Sequence, residues 1–426
     1  MRALLGRGVV AVVLAGFGGA AAQSVHVVGP LGTPGVDFTS LPTATAAAAS
    51  GDILLILPGN YTGTANVAHK SLAIVGLPDA QGVRPRIATL VVKNTVPGET
   101  VLVRGLASSM NASLTLPALL VLNCAGPVLV EDCSFAAPDG SHNGDESLVV
   151  NDSSRVIFTR CTLTGGPGDS PLSANPWPGA PALLASASTV TLDACTVTGG
   201  DGDDGFAYPS IGAVEAAGKG GPSVAITGTL TVRGSHLSGG IGGDGDDSSV
   251  NPVCVGPNNG GAGVQVDGLL RRLDSSFTGG AAGVAAPCGG SAQPGPEIDL
   301  LGGSVTDIAG HVAQLELSAV LPEGGSATLA LHGTPGDVVL VHHALGASGF
   351  WLGGQKATFV PALPYISLNI GALPPSGELS LGIAIPQVLP PGIEGLLVVV
   401  QALFVPPVGK GILSTSTASV LVVDAP

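Results

Sequence analysis

The sequence predicts an all-β chain, a right-handed parallel β-helix with a short N-terminal capping helix, followed by a small antiparallel β-sandwich domain. Three observations lead there. The composition is rich in small and aliphatic residues and poor in charge: 66 Gly and 34 Pro in 426 residues, 45% hydrophobic, 11% charged and 3% aromatic. Disorder requires the reverse, low hydrophobicity with high charge, so this chain can bury a core through short strands and tight turns. Next, apolar or small residues recur at i, i+2, i+5 and i+7, and this template returns every 27 to 40 residues along most of the chain. Such a period is that of stacked coils with loops of variable length. Finally, the template fails from about Val312 and gives way to alternating segments separated by Gly and Pro turns, the pattern of a compact antiparallel sandwich.

The elements follow in chain order. Arg2 and Arg7, an apolar stretch from Gly8 to Gly19, and Ala20-Ala21-Ala22 before Gln23 have the form of an export signal over residues 1–22. The mature chain then begins near Gln23, and the protein is secreted or held on the outer cell surface. The apolar run is short for a bilayer span and no stop-transfer charges follow it. The late run from Leu396 to Phe404 is interrupted by Gln401 and followed by Pro406, so no transmembrane segment is expected after signal removal. The chain carries 15 Lys+Arg against 30 Asp+Glu, and loss of Arg2 and Arg7 leaves 13 against 30, a net charge of −17. That balance argues against nucleic acid and anionic membranes as partners. A polyanionic polysaccharide would need a bridging cation or a local basic patch.

Residues 38–51 read as the capping helix, with Ser40 at the N-cap, Pro42 early and Gly51 at its end. The first strand starts in the segment from Asp52 to Tyr61. The template then fits Val101/Val103/Leu106/Ser108, Val128/Val130/Cys133/Phe135, Val156/Phe158/Cys161/Leu163, Val190/Leu192/Cys195/Val197, Leu230/Val232/Ser235/Leu237 and Ile298/Leu300/Gly303/Val305, with Leu72/Ile74/Leu77 matching in part. Residues i and i+2 share one strand face because side chains alternate. The extra residue before i+5 marks a corner, after which i+5 and i+7 face inward from a second short strand. Parallel coils then stack at about 4.8 Å and bury columns of like residues. One rung breaks the rule, for the template beginning at Leu270 places Arg272 at i+2. A one-residue bulge would return Leu273 to the core and turn Arg272 outward; the alternative is a buried, paired Arg272.

The helix followed by the segment from Gly51 to Tyr61 resembles the opening of pectate-lyase-like right-handed β-helix proteins. The resemblance covers roughly residues 25 to 310 and implies the fold; it implies no single activity, because that fold hosts lyases, hydrolases, epimerases, tailspikes and inert surface proteins. The domains are thus residues 23–311 for the β-helix and 312–426 for a sandwich-like module similar to those attached to secreted repeat proteins.

Cys133, Cys161 and Cys195 occupy the i+5 slot on successive rungs, with Ser235 next. Parallel Cβ vectors suit a disulfide poorly, so this column reads as a ladder of small side chains, against the alternative of a metal or redox cluster. Cys254 and Cys288 lie in Pro/Gly loops leaving the same corner of adjacent rungs and are expected to form a disulfide. Cys124 sits at a turn, without an assigned role.

That corner also carries the main candidate site. Segments starting at Gly165, Gly199 and Gly239 combine glycine with Asp169, Asp201, Asp203, Asp204, Asp244, Asp246 and Asp247. Hard carboxylate oxygens on Gly turns suit Ca²⁺, with solvated Gly/Asp turns as the plainer reading. Trp177, Phe206 and Tyr208 fall in the same loops, where they would stack on a sugar or tuck the loops against the coil. Asp203-Asp204 and Asp246-Asp247 are acidic pairs, and hydrolysis of a glycosidic bond needs two carboxylates at a set separation. They lack the Asn, His and Arg setting of β-helix hydrolases, and Arg271, Arg272 and Lys219 are the nearest bases for a lyase. His342 and His343 alternate along a strand and cannot both face one metal. Gly200, Gly202 and Gly205 match a dinucleotide fingerprint only formally, without a strand–helix unit. The expectation is a secreted or cell-surface scaffold with polysaccharide or the cell envelope as candidate partner. A Ca²⁺-dependent polysaccharide lyase or glycoside hydrolase, or a carbohydrate-binding adhesion module, would use the same loop face.

Overall fold

The computed structural model describes residues 10–11, 24–109, 116–137, 146–168, 177–208, 213–246, 255–285, 289–318, 320–352, 357–385, 389, 395–407, 411–415 and 417–423. The predicted export signal lies outside them except for Val10-Ala11. The chain forms two compact units, one of residues 26–49 and 54–308, the other of residues 309–426 with 1–25 and 50–53.

The larger unit is a coil of parallel strands stacked rung on rung in one 20-stranded sheet system. Val101, Val128, Val156, Val190, Leu230 and Leu270 pair successively in register, as do Phe135, Leu163, Val197, Leu237 and Phe277. These are the template's i and i+7 columns. A third strand, absent from the template, opens each rung: Leu90, Leu119, Leu148, Leu183, Val224 and Val264 form its column. The final rung corrects the expectation. Ile298 pairs with Val264 and Val305 pairs with Leu270, so the match beginning at Ile298 belongs to the third strand. The periodicity is the same on every side of the coil, and for that reason a two-strand template slips from one side to another. The three inward columns share one continuous apolar core, from Val28 to Phe277.

Both recurrent corners use the same device. Asp132, Arg160, Ala194, Gly234 and Asp274 stack in the left-handed region at φ 53°, 51°, 54°, 52° and 47°, and Asn94, Asn123, Asp152 and Ala187 do so at the other corner at 56°, 54°, 48° and 47°. Most bends are followed by a small residue that donates back across the bend; Thr95, after Asn94, is the exception, its buried hydroxyl having no partner among the described residues. Cys133, Cys161 and Cys195 Sγ donate to the carbonyls of Glu131, Thr159 and Asp193 at 3.2, 3.4 and 3.4 Å, and Ser235 Oγ to Arg233 at 2.8 Å. Cys124, Ser153 and Ser188 repeat this at the second corner. Burial pushes the Cys133 and Cys195 thiols up, which keeps them protonated donors. All four described cysteines are free and buried; Cys254 and Cys288, expected to form a disulfide, lie outside the described residues.

The residue preceding the first of these corners is charged on several rungs, which the apolar template ignored. Arg104, Glu131, Asp193 and Arg233 are all buried, Arg233 completely. Arg233 Nη1 meets Asp193 Oδ2 at 3.2 Å; Arg104 and Arg160 converge on Asp132 at 2.8 and 2.7 Å. Burial raises the Asp193 carboxyl, and the charges of Arg233 and Arg160 oppose that rise. Arg272 holds the register of Val232 with no bulge against that neighbouring strand, so the expected outward turn does not occur. Its guanidinium instead ends the inward column, paired with Asp307 and 5.8 Å over the Phe277 ring, while Leu273 is buried in the register of Arg233. A charge is tolerated in this place because the side chain is about one-third exposed near the end of the coil, where water still reaches it.

The helix at the start of the coil spans Leu41–Ala47, shorter than read from sequence. Leu41 and Ala44 are buried in the core of the coil. Ser40 stands at the N-cap without a side-chain bond, and the Lys70 ammonium donates to the Thr45 and Ala48 carbonyls at the other end. Cations are favourable at that helix end.

The smaller unit contains a sheet of the strands Gln314–Glu316, Ser326–His332 and Glu378–Ala384 with Val10–Ala11 at its edge. A second, six-stranded sheet is built around Gly395–Val405 and is antiparallel except where Val320–Pro322 runs parallel to Ala418–Val423. Among the described residues no helix is long and apolar enough to cross a membrane.

Candidate functional face

The acidic glycine segments form a regular body. Outgoing segments at 165–168, 199–205, 239–245 and 279–284 alternate with returning segments at 177–182, 217–223, 255–263 and 293–297. Gly199, Gly202 and Gly205 donate to Ser238, Ile241 and Asp244 carbonyls at 2.9, 2.8 and 2.8 Å, and Gly239, Gly242 and Gly245 donate to Thr278, Ala281 and Val284 at 2.9, 2.9 and 3.0 Å. The second phase bonds across the layers, Gly200 to Ala180, Gly240 to Gly221 and Gly280 to Gly261 at 2.9, 2.8 and 2.8 Å. Donors that recur every third residue are the signature of extended threefold helices of the polyproline II type, which have no internal hydrogen bonds and so bond to their neighbours.

Glycine is required here for space. These glycines do not occupy the left-handed φ region. A Cβ on Gly200, Gly240 or Gly280 would stand 1.8 Å from the carbonyl oxygen of Gly166, Gly200 or Gly240, respectively. The expectation of Gly turns is therefore corrected: the segments are a close-packed, two-layer array in which most residues of two phases in three are glycine, with Asp203, Asp246 and Ala282 among the exceptions.

The third phase faces solvent, and Asp201, Asp204 and Asp244 stand there, whereas Asp203 and Asp246 fall in the second phase. Asp201 Oδ1 accepts the Ile241 N–H at 2.7 Å, Asp204 Oδ1 accepts that of Asp244 at 2.8 Å, and Asp244 Oδ1 accepts that of Val284 at 2.7 Å. Each carboxylate thus satisfies the outward N–H of the next rung, which no neighbouring segment reaches. Asn259 Oδ1 does the same for Gln293 at 2.7 Å in the returning layer. Among the described residues no group of three or more His, Cys, Asp and Glu side chains converges as a metal site. Asp203 is engaged through its backbone, donating to the Trp177 carbonyl at 3.2 Å and accepting from Gly218 at 2.6 Å; Asp246 accepts from Val255 at 3.2 Å. Asp169 and Asp247 lie outside the described residues.

The array positions the aromatic candidates at its outer end. Trp177 begins the first returning segment, half-buried, with its indole Nε1 buried and without a hydrogen-bond partner among the described residues. Phe206 and Tyr208 lie on a two-stranded antiparallel hairpin, Phe206–Tyr208 against Ala213–Glu215, that continues directly from the second outgoing segment. Sequence reasoning missed the array because its signal is a three-residue glycine period, here interrupted by Asp and Pro.

A second concave region opens at the last rungs, an exposed polar cleft of about 520 Å³ lined by Ser235, His236, Arg272, Ser275, Ser276 and Asp307, among others. His236 Nδ1 and Ser276 Oγ, in register on stacked strands, are 2.7 Å apart. Neither residue stood out in sequence, since their 40-residue separation becomes contact only through stacking.

No family model matches the chain, and no curated protein does. Among solved structures the chain is similar to tailspike protein 2 from Escherichia coli O157:H7 bacteriophage CAB120, at 10% identity and TM-score 0.27, covering 93% of this chain and 68% of that one. It is also similar to a Geobacillus virus E2 protein, at 11% identity and TM-score 0.26 over 78% and 74% of the two chains, and to a superoxide reductase (neelaredoxin) from Ignicoccus hospitalis at 9%, 0.16, 26% and 81%. Likenesses of this size leave function to be read from the chain itself.

Proposed function

We propose that the chain is a secreted or cell-surface binding scaffold, in which the coil and its polyglycine array hold the loop tips rigidly for recognition of a polysaccharide. The observation that carries this reading is the use of the acids: Asp201, Asp204 and Asp244 hold the array together by accepting backbone N–H groups of the next rung. A body with every segment bonded to its neighbours is a platform, and pre-organisation lowers the ordering cost of binding. Trp177 and the hairpin with Phe206 and Tyr208 stand at its outer end, and aromatic faces suit sugar rings. The smaller unit is read as a β-sandwich module whose role is attachment.

The test uses the full chain on a panel of acidic and neutral polysaccharides, with Ca²⁺ and with chelator. Binding without cleavage that drops at least tenfold in Tyr208→Ala or Trp177→Ala, with Asp204→Ala unaffected, is the expected result. Chain scission would overturn the scaffold reading in favour of a lyase or hydrolase. Binding lost in chelator and restored by Ca²⁺ would assign the second carboxylate oxygens of the Asp segments to a cation.

A further inference from the structure

The smaller unit has a partly open apolar cavity of about 70 Å³ between its sheets. Leu329, Leu381 and Ile383 line it from one sheet and Val341, Val400 and Val420 from the other, and His343 is the one lining residue with a polar side chain among those described. His343 is 3% exposed, and its Nε2 is buried with no hydrogen-bond partner among the described residues. Its strand neighbour His342 points to the opposite face, where Nδ1 lies 2.8 Å from Ser367 Oγ and the ring packs edge-on against Phe359 and Tyr365. Of two adjacent histidines, one has its Nδ1 in a hydrogen bond and the other faces an apolar cavity.

Two occupants fit that volume, water or a short hydrocarbon. A buried water is held by two to four polar partners, and apolar cavities lacking them stay dry and take apolar ligands. Here the wall supplies one. Water would fit the space, yet the waters in it would share a single imidazole nitrogen. A ligand that is mostly alkyl, with one hydrogen-bonding group, satisfies both the wall and Nε2. We propose that this cavity is a binding site for the end of a short alkyl chain carrying one hydroxyl or carbonyl group, held by a hydrogen bond to His343 Nε2. Burial holds the His343 imidazole below the ordinary histidine range, so the ring is neutral near pH 7 and accepts from a hydroxyl or donates to a carbonyl according to its tautomer.

The test is titration of the intact chain with 1-butanol and 1-pentanol, followed by the ¹⁵N resonances of the His343 ring, with xenon as the purely apolar probe. A saturable shift of Nε2 with the alkanols is expected. His343→Leu should weaken alkanol binding at least fivefold while leaving xenon binding in place. Xenon binding without a saturable alkanol response would overturn the proposal, reducing the site to a packing void. So would an ordered water on Nε2 in a crystal structure, or alkanol binding unchanged in His343→Leu. Should that variant fail to fold, competition between 1-pentanol and xenon in the natural chain keeps the test decisive, since one site requires mutual exclusion.

Discussion

Alanine substitution along one outgoing segment should read out the threefold register of the array. At Gly200 an added Cβ would lie 1.8 Å from the Gly166 carbonyl oxygen, and at Gly202 it would lie 2.2 Å from that of Gly218. Both obstacles are backbone, so the segments must separate by roughly 1 Å to restore normal contact. Separation at Gly200 disturbs three bonds: Gly200 to Ala180 at 2.9 Å, Ala180 to Gly166 at 2.9 Å and Gly221 to Gly200 at 2.8 Å. Each buried bond left unmade costs about 1–3 kcal/mol, and replacing glycine recovers only about 0.4–1 kcal/mol from the unfolded chain. Gly200→Ala should therefore destabilise the array by at least about 2 kcal/mol, and Gly202→Ala, whose Cβ meets the Gly218 carbonyl, should likewise destabilise it by more than Asp201→Ala. Asp201 already carries a side chain into solvent and contributes one bond, to the Ile241 N–H, so Asp201→Ala should cost about 1 kcal/mol. Denaturant midpoints give the global values. Amide hydrogen exchange at Ala180, Gly200 and Gly221 detects the array opening while the coil stays folded. Equal costs at all three positions, or a largest cost at Asp201, would refute the threefold packing.

Other outcomes follow from the interior. Arg233→Met leaves the buried Asp193 without its ion-pair partner and should cost about 3–5 kcal/mol, whereas Arg233→Met with Asp193→Leu should recover most of it; chemical denaturation of the three variants decides. Cys161→Ser should cost no more than about 1 kcal/mol, since Ser235 and Ser275 make the same back-bond on later rungs, while Cys161→Leu should cost about 1–3 kcal/mol by overpacking. Thermal melts distinguish these. Burial lowers His342, with the neighbouring His343 charge adding to the effect, and burial lowers His343. Both groups are neutral in either state above about pH 6.5. As pH falls through that value the unfolded chain takes up protons that the folded chain resists, so stability declines until the folded values are reached. Melting of the smaller unit should weaken from pH 7 to pH 5, and His342→Phe should flatten the slope.

Much of the coil was legible because burial imposes a period-two alternation that survives loops of any length. Val101 through Leu270 fall in one register, and the Cys133–Cys161–Cys195 column is the small-residue ladder its spacing indicated. What sequence could not supply was the third strand of each rung and the side of the coil to which Ile298 belongs, since every side has the same alternation. Buried charges such as Arg233 and Asp193 were invisible for a related reason: their partners lie a whole rung away, and only stacking brings 40 residues of chain down to 3.2 Å. The acidic glycine segments are the sharpest case. The sequence determined that glycine and aspartate alternate there; the tertiary structure decided that the glycines are space between neighbouring backbones and the aspartates are acceptors for the next rung. A threefold extended segment makes no hydrogen bonds within itself, so its conformation exists only where other segments pack beside it.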